Sequence, residues 1–345
     1  MNKCFDGEVM ARRTIVEIAD RLGVSIATVS RALNNTTGVS AARRQEVLGV
    51  AAELGYYPNA SARRLQGQRA NVFCYAVDVS AHRPTDDLFF FKDFITVLAA
   101  RSAAYGFDLL LHTLDSDDTG FDAVEGLLRS GRADGVILSD ARVGDPRIRQ
   151  LYAAELPFAV FGRCADLPDH PSVDVDGCAG IRQATEHLVE RGHSRIALLG
   201  LPHAFSCALD REQGYYQALA AAGIAANPAL IARDLHEPAH VYAAVEALFD
   251  LPELPTAIVA TSDMLALQAM FAASRRGLHA GRNYAITGFD DLPMVAHIAT
   301  PLTTLRQPLE KVCDALIAML LRRLDGEDGP TQVLLEPELV VRESS

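Results

Sequence analysis

The stretch from Thr14 to Leu65 constrains this chain most, because its pattern is that of a helix-turn-helix. Apolar residues recur at helical spacing up to Gly23, which breaks the first helix. Ser25 can cap a second helix, and Val29 and Leu33 give that helix a packing side. The N-terminal part of the chain is therefore predicted to be all-α.

The other side of the second helix carries short polar residues and one arginine. Such a side can enter the major groove of DNA. A third helix is predicted to begin at the cap Ser40 and to stop at Gly55. A short further helix, Ala60 to Gln66, can begin at the cap Asn59, but it has too few apolar residues to be stable alone in water.

The charge of the chain is divided unevenly. The first 69 residues contain ten basic and six acidic residues, a net charge of +4, whereas the remaining residues contain 22 and 38, a net charge of −16. A basic N-terminal end can neutralise phosphates, and an acidic remainder is repelled by the same duplex. Contact with DNA is therefore predicted for the N-terminal end alone.

Three stretches in this region resemble, in order, the DNA-binding head of the LacI/GalR family of bacterial transcription regulators. They are VSIATVSRALN at Val24 to Asn34, VS before a basic run at Val39 to Arg44, and ELGYYPNASARRL at Glu53 to Leu65. The resemblance implies a helix-turn-helix domain over residues 12–58 and a hinge helix over residues 59–69. It also implies that the hinges of a dimer fold together on DNA, where Leu65 enters the minor groove and bends the duplex.

The resemblance assigns Ile26 and Ala27 the largest effect on base choice. Both offer only apolar surface, which can touch thymine methyl groups. The predicted DNA-binding residues are Thr14, Ser25, Ile26, Ala27, Thr28, Ser30, Arg31 and Asn34 in the head, and Asn59, Ala62, Arg63 and Leu65 in the hinge. Because a two-fold homodimer requires a two-fold site, the predicted partner is a pseudo-palindromic double-stranded operator.

From Asn71 onward, segments with strand and helix patterns alternate, which predicts parallel sheets covered by helices on both faces. The predicted strands are Val72 to Val77, Phe107 to His112, Gly135 to Leu138, Phe158 to Phe161, Ile196 to Leu199, Thr256 to Ala260 and Tyr284 to Thr287. The predicted helices are Phe90 to Tyr105, Phe121 to Arg129, Arg147 to Ala154, Cys178 to Arg191, Asp210 to Ala222, Met264 to Arg275 and Pro308 to Leu324. Two successive units of this kind predict an α/β core of two Rossmann-like lobes with a cleft between them. This part also resembles the regulatory core of the same family, which is similar to periplasmic binding proteins. The resemblance implies a core over residues 70–345, with lobe one near 71–173 and 304–331 and lobe two near 174–303 and 332–345.

Polar and aromatic residues near predicted strand ends are the candidates for binding a small molecule in that cleft. Arg211 opens an RxxGY stretch and Asp290 lies in GFDD, and both stretches resemble family motifs. Carboxylates accept hydrogen bonds from hydroxyls, a guanidinium donates them in a fixed fork, and an aromatic ring covers the apolar face of a sugar. The effector is therefore predicted to be a sugar. The predicted effector-binding residues are Asp87, Phe89, Phe90, Ser139, Arg163, Asp176, Arg211, Ser262, Asp263 and Asp290.

Two of these positions depart from the family pattern. Asp87 and Ser262 stand where relatives commonly have asparagine. A purine or a sugar phosphate therefore stays open as an alternative effector, although several carboxylates disfavour an anion. Asp263 has an alternative role as the cap of the helix that follows it.

Other functions have less support. The sequence has no GxGxxG after its first strand, no P-loop, no GxSxG and no HExxH, so an enzyme is not predicted. Its six cysteines form no CxxC pair, and neither a metal nor a cofactor is predicted. A signal peptide and an apolar run of about 18 residues are absent, which predicts a cytoplasmic protein without a membrane role. The remaining alternative is a sugar-binding protein without a DNA role, but the predicted function is that of a repressor controlled by a small molecule.

Overall fold

The computed structural model of the chain describes residues 14–33, 37–56, 69–78, 88–114 and 121–345. The chain divides into two compact units, Met1–Ala70 and Asn71–Ser345. Within the described ranges, no helix is long and apolar enough to cross a membrane.

The first unit contains the helices α1 Ile15–Leu22, α2 Ile26–Leu33 and α3 Ala41–Glu53. Their small core consists of Ile18, Ala19, Val29, Ala32, Val47 and Ala51. Gly23 has a φ of 62°, a left-handed conformation that glycine adopts easily, and it turns the chain between α1 and α2. The predicted helix-turn-helix is confirmed. The hinge helix predicted over residues 59–69 falls, except for Arg69, outside the described residues.

Serine side chains fix where α2 and α3 begin. The Thr28 N–H donates to Ser25 Oγ at 3.1 Å, and the Arg43 N–H donates to Ser40 Oγ at 3.3 Å. Each bond satisfies one of the N–H groups that the first turn of a helix leaves without an intrahelical acceptor. Both capping serines are those that the sequence predicts.

The second unit contains two parallel sheets with helices between their strands. Its strands are β1 Val72–Asp78, β2 Asp108–Leu114, β3 Gly135–Leu138, β4 Phe158–Phe161, β5 Ser172–Val175, β6 Ile196–Leu199, β7 Ile231–Ala232, β8 Ala257–Ala260, β9 Ala285–Thr287, β10 Thr304–Arg306, β11 Gln332–Leu335 and β12 Glu338–Val340. Its helices are α4 Leu88–Ala104, α5 Phe121–Arg129, α6 Pro146–Ala153, α7 Gly177–Glu190, α8 Ser206–Ala221, α9 Pro238–Phe249, α10 Asp263–Ser274 and α11 Leu309–Asp325.

The strand order of the first sheet is β11-β5-β4-β3-β1-β2, and that of the second is β7-β6-β8-β9. Strands β10 and β12 form a separate antiparallel pair. The predicted α/β core of two Rossmann-like sheets is confirmed. We call the first sheet with α4, α5, α6 and α11 the first lobe, and the second sheet with α7 to α10 the second lobe.

The chain leaves the first sheet after β5 and again after β11. These two strands pair in parallel, with Gln332 opposite Ser172 and Leu335 opposite Val175. The lobe boundaries expected near residues 173 and 332 therefore fall inside strands. Gln332–Leu335 lies in the first sheet, because its backbone completes the edge beside β5. Residues 332–345 were expected in lobe two, so this strand corrects that boundary.

Strands β3, β4, β6 and β8 are buried along their whole length and consist of apolar residues and one glycine. Continuous apolar runs are typical of parallel strands covered on both faces, which is why the sequence predicts these four. The strands β5, β7, β10, β11 and β12 are not predicted, because four of them contain polar residues and β7 has only two residues. Helix α9 is also missed, although Val241, Val245 and Leu248 are buried on one face of it.

Helices α7 and α8 approach each other closely at Gly214. A Cβ atom at this position would lie 2.2 Å from the carbonyl oxygen of Cys178 and 2.9 Å from the backbone nitrogen of Arg182, both in α7. Backbone atoms of a packed helix cannot move aside as a flexible side chain can. The glycine of the RxxGY stretch therefore serves helix packing.

We predict opposite effects for two glycine-to-alanine substitutions in helices. Gly214→Ala should lower the free energy of unfolding by about 1–3 kcal/mol, because α7 and α8 must separate to admit the methyl group. Gly126→Ala in α5 is the control: apart from the adjoining chain of its own helix, no described atom lies within 4 Å of its new Cβ. It should raise stability by roughly 0.5–1 kcal/mol through its helix propensity. Urea unfolding of the full chain, followed by circular dichroism, measures both, and changes of the same sign would contradict the packing argument.

Candidate functional site

The exposed side of α2 combines apolar and polar groups. Ile26 is 49% exposed, and Ala27 and Arg31 on the same helix are also exposed. The hydroxyls of Ser25 and Thr28 hydrogen-bond each other at 2.9 Å. The first turn of α2 therefore presents apolar surface next to a pair of hydroxyls that already bind one another.

The other predicted DNA-binding residues divide into two groups. Thr14 precedes α1, and its N–H donates to Glu17 Oε1 at 3.3 Å, while Ser30 lies half-buried in α2. Outside the described residues are Asn34, Asn59, Ala62, Arg63 and Leu65.

A cavity of about 90 Å³ lies between the two lobes of the core, and we call it the effector cavity because the predicted effector-binding residues Arg211 and Asp290 line it. It is surrounded by segments that follow strands of both sheets and by the first turns of α8. Ligands of open α/β sheets bind at such carboxyl ends of strands. The described residues that line it are Phe90, Phe91, Ser139, Asp140, Ala141, Phe161, Gly162, Arg163, Asp174, Val175, Leu201, Ser206, Cys207, Arg211, Asp290 and Gln307.

Arg211 is held in the effector cavity by three neighbours. Its Nη1 donates to the Thr261 carbonyl at 2.6 Å, and its guanidinium carbon lies 3.8 Å from the centroid of the Phe289 ring, a cation–π contact. Its Nη2 lies 4.0 Å from Asp290 Oδ1, which also accepts a hydrogen bond from Gln307 Nε2 at 2.6 Å. A guanidinium, a carboxylate and an amide therefore meet beside one aromatic ring.

Asp263 lies buried beneath this cluster and fixes the backbone segment that carries Asp290. Its fully buried carboxylate accepts the Leu292 N–H at 2.8 Å and the Thr304 hydroxyl at 2.5 Å. At Gly288 a Cβ atom would lie 2.2 Å from Asp263 Oδ1, so only glycine fits there. The carboxylate thus fixes the segment that carries Asp290, whose φ of 121° is rare for a residue with a side chain.

Arg163 connects the two lobes. Its Nε donates to Asp174 Oδ2 in β5 at 3.0 Å, and its Nη2 donates to Asp210 Oδ2 in α8 at 2.7 Å. Burial raises the pKa of the Asp174 carboxyl above its usual value, and the positive charge of Arg163 opposes that rise. Burial also acts to lower the pKa of Arg163, but the two carboxylates outweigh it and the net direction is upward.

Backbone hydrogen bonds join the lobes next to this ion pair. The Val143 N–H donates to the Ala204 carbonyl, and the Ser206 N–H donates to the Ala141 carbonyl, both at 3.0 Å. Val143 and Ala141 follow β3 in the first lobe, whereas Ala204 and Ser206 lead into α8 in the second. The structure therefore holds the two lobes together along one side of the effector cavity.

A hydrogen-bonded chain leads from the first sheet to the effector cavity. Tyr75 and Ser139 share a hydrogen bond at 2.6 Å, and the Ser139 hydroxyl donates to Asp140 at 3.3 Å. Because that hydroxyl proton goes to Asp140, Tyr75 is the donor to Ser139. Burial raises the pKa of the Tyr75 hydroxyl, so it keeps its proton. Asp140 is thereby presented to the cavity as an acceptor.

The structure brings five of the predicted effector residues together in the cavity: Phe90, Ser139, Arg163, Arg211 and Asp290. Four others are placed elsewhere among the described residues, and Asp87 falls outside them. Phe89 is 44% exposed on α4. Asp176 and Ser262 cap helices by accepting the N–H groups of Ala179 and Leu265, because each directly precedes a helix start. The Asp263 carboxylate accepts hydrogen bonds from Leu292 and Thr304 and does not line the cavity.

Sequence reasoning missed Asp140, Asp174 and Gln307. Asp174 lies inside a buried strand, and an acidic residue in an apolar run is a signal of a special environment. Asp140 directly follows the predicted Ser139. Gln307 carries no comparable signal, because only the fold brings it to Asp290.

Among the residues that the structure describes, no group of three histidine, cysteine, aspartate or glutamate side chains could hold a metal ion. The lining instead offers negatively charged carboxylates that accept hydrogen bonds and positively charged guanidiniums that donate them. Such groups recognise a small polar organic molecule.

We predict that Asp210→Asn loosens the contact between the lobes. The partly exposed ion pair with Arg163 contributes about 1 kcal/mol or less, which corresponds to roughly fivefold faster opening. Hydrogen exchange of peptides containing Val143 and Ser206, measured on the full chain, should accelerate by that factor. Asp250→Asn is the control, because Asp250 pairs with Arg276 within the second lobe. Unchanged exchange in Asp210→Asn would show that the ion pair does not hold the lobes together.

Two family models match the chain. The model of bacterial regulatory proteins of the lacI family matches residues 14–59, which contain the helix-turn-helix. The model of a periplasmic binding protein-like domain matches residues 185–345, which contain most of the second lobe together with α11 and β10 to β12.

Whole proteins match as well. The transcriptional regulator AglR of Rhizobium meliloti (strain 1021) is 34% identical over 338 residues, which cover 95% of this chain and 93% of AglR. The structure of the regulator CelR in complex with cellobiose is 30% identical, with a TM-score of 0.72 over 97% of this chain and 100% of CelR. The lac repressor dimer bound to operator and the anti-inducer ONPF is 26% identical, with a TM-score of 0.82 over 97% of this chain and 99% of that chain. These relatives are regulators rather than enzymes, and the chain belongs to the LacI family of bacterial DNA-binding transcriptional regulators.

Proposed function

We propose that the chain is a homodimeric repressor whose affinity for a pseudo-palindromic operator is controlled by an uncharged sugar in the effector cavity. The cluster of Arg211, Phe289 and Asp290 carries this proposal. Its guanidinium donates to hydroxyl oxygens and its carboxylate accepts from hydroxyl hydrogens. Because both lobes line the cavity, a bound sugar stabilises one arrangement of the lobes over others.

The charges of the lining favour an uncharged effector. The described lining contains three carboxylates, Asp140, Asp174 and Asp290, and two guanidiniums, Arg163 and Arg211. A phosphate would approach these carboxylates in a partly buried site, where repulsion between like charges is stronger than in water. The related CelR is found with cellobiose, which is an uncharged sugar. A sugar phosphate and a purine are the alternatives that the test below separates.

For operator binding we propose that each head places α2 in one half-site. Ile26 and Ala27, both exposed, would face the bases, where apolar side chains contact thymine methyl groups. Arg31 is exposed on the same helix and suits a base or phosphate contact. The related lac repressor binds its operator as a dimer, and two-fold symmetry would impose the same arrangement here.

A regulator of this kind acts where the chromosome is, so we place it in the cytoplasm. The alternative of a sugar-binding protein without a DNA role leaves the family match over residues 14–59 without an explanation. Whether the sugar weakens or strengthens operator binding depends on which lobe arrangement it prefers. A sugar that prefers the lobe arrangement unable to bind DNA is an inducer, and one that prefers the other arrangement is a corepressor.

We predict that at least one neutral mono- or disaccharide raises the melting temperature of the full chain. At a sugar concentration of a hundred times Kd, the free energy of unfolding rises by about 2.7 kcal/mol. For a core of this size, each kcal/mol raises the melting temperature by roughly 2–4 °C. Arg211→Ala and Asp290→Ala should each abolish the rise. Arg276→Ala is the matched control, since Arg276 pairs with Asp250 and does not line the cavity. A rise with nucleobases or sugar phosphates alone would refute the proposed effector class.

A further inference from the structure

A second cavity adjoins the effector cavity at Arg163 and Ser206, which line both. We call it the adjoining compartment. Its volume is about 320 Å³, compared with about 90 Å³ for the effector cavity. Ligand pockets in proteins usually enclose roughly 300–1,000 Å³. The effector cavity alone is therefore small for a ligand, whereas the two cavities together reach the usual range.

The adjoining compartment has an exposed apolar side chain from each lobe. Val143 of the first lobe is 58% exposed, and Leu209 of α8 in the second lobe is 43% exposed. Large apolar side chains that line a cavity and remain in contact with water favour a ligand that covers them. The C–H face of a sugar ring provides such a cover, and its hydroxyls can reach the amide of Gln332 and the hydroxyl of Ser206 in the same lining.

The charged groups of the adjoining compartment are already paired. Asp166 forms an ion pair with Arg149, and Asp210 forms one with Arg163. The lining therefore carries partnered carboxylates instead of an excess charge that would attract an ion. This favours a neutral, hydroxyl-bearing occupant.

We infer that the effector spans both cavities and is a disaccharide or a longer neutral glycoside. One ring binds beside Arg211 and Asp290, and the next ring lies between Val143 and Leu209, where it displaces Arg163 from Asp210. The inference rests on the proposed function, because it extends the same sugar site. In this arrangement Leu209 contacts only the second ring, so it affects the affinity for disaccharides and not that for monosaccharides.

A third cavity is the alternative place for the second ring. It has a volume of about 410 Å³ and adjoins the effector cavity at Phe90, Asp290 and Gln307. Several of its charges are paired as well, such as Asp291 with Arg306. Its described lining has no exposed leucine, valine or aromatic side chain, and Leu292 in it is buried. A ring there would cover less apolar surface than one between Val143 and Leu209, and Glu310 in the lining provides a control position.

The test measures the affinities of the full chain for glucose, galactose, cellobiose, maltose, lactose and melibiose by isothermal titration. We expect one disaccharide to bind about tenfold or more tightly than either monosaccharide. Leu209→Arg, which fills the adjoining compartment, should weaken that disaccharide about tenfold and change monosaccharide affinity less than about twofold. Leu209→Ala, a milder change, should weaken the disaccharide about threefold. Glu310→Arg in the third cavity and Leu254→Arg at an exposed leucine elsewhere should leave all affinities unchanged.

The outcomes separate the inference from the proposed function. Equal affinities for mono- and disaccharides, or unchanged disaccharide binding in both Leu209 variants, would overturn the inference while leaving the sugar effector in place. Loss of disaccharide binding in Glu310→Arg alone would move the second ring to the third cavity and overturn it as well. If none of the six sugars binds, both the proposed effector class and the inference fail.

Discussion

The buried carboxylate of Asp263 is the interaction on which the effector site depends. It has no access to water, so its hydrogen bonds to the Leu292 N–H and the Thr304 hydroxyl are what make its burial tolerable. These two bonds tie the loop after β9 to β10 and hold Asp290 in its unusual backbone conformation. Arg211 can then face Asp290 and Phe289 at fixed distances. A residue that never lines the cavity thus positions those that do.

The second requirement is that the site contains groups from both lobes. Arg163 joins a strand of the first lobe to a helix of the second, and two backbone hydrogen bonds run beside it. An effector can shift the balance between lobe arrangements only by as much as its affinities for them differ. A ligand that touches Arg163 or Arg211 acts on groups that already connect separate elements. Binding energy in the cavity is therefore available to change the arrangement of the core, which is what control of operator affinity by an effector requires.

Local sequence patterns predict much of the architecture, whereas part of the site depends on contacts between distant residues. The apolar runs of β3, β4, β6 and β8 and the caps Ser25 and Ser40 act through neighbouring residues, so the sequence predicts them. A polar residue at a strand end can point into the cleft or back onto the next helix, and both uses favour the same residue types. This is why Asp176 and Ser262 were expected in the cavity and instead cap helices. Gln307 was missed because its contact with Asp290 depends on β10 returning beside the second sheet.

The most direct test of this account is the operator affinity of the full chain with and without the sugar that stabilises it most. The operator would first be selected from random duplex DNA, and binding would be followed by fluorescence anisotropy at fixed salt, since salt alone shifts such affinities strongly. We predict that a saturating sugar changes the operator Kd by roughly 5–150-fold. In Arg211→Ala the operator Kd without sugar should stay the same and the response should disappear. A wild-type operator Kd that is identical with and without a bound sugar would contradict the account.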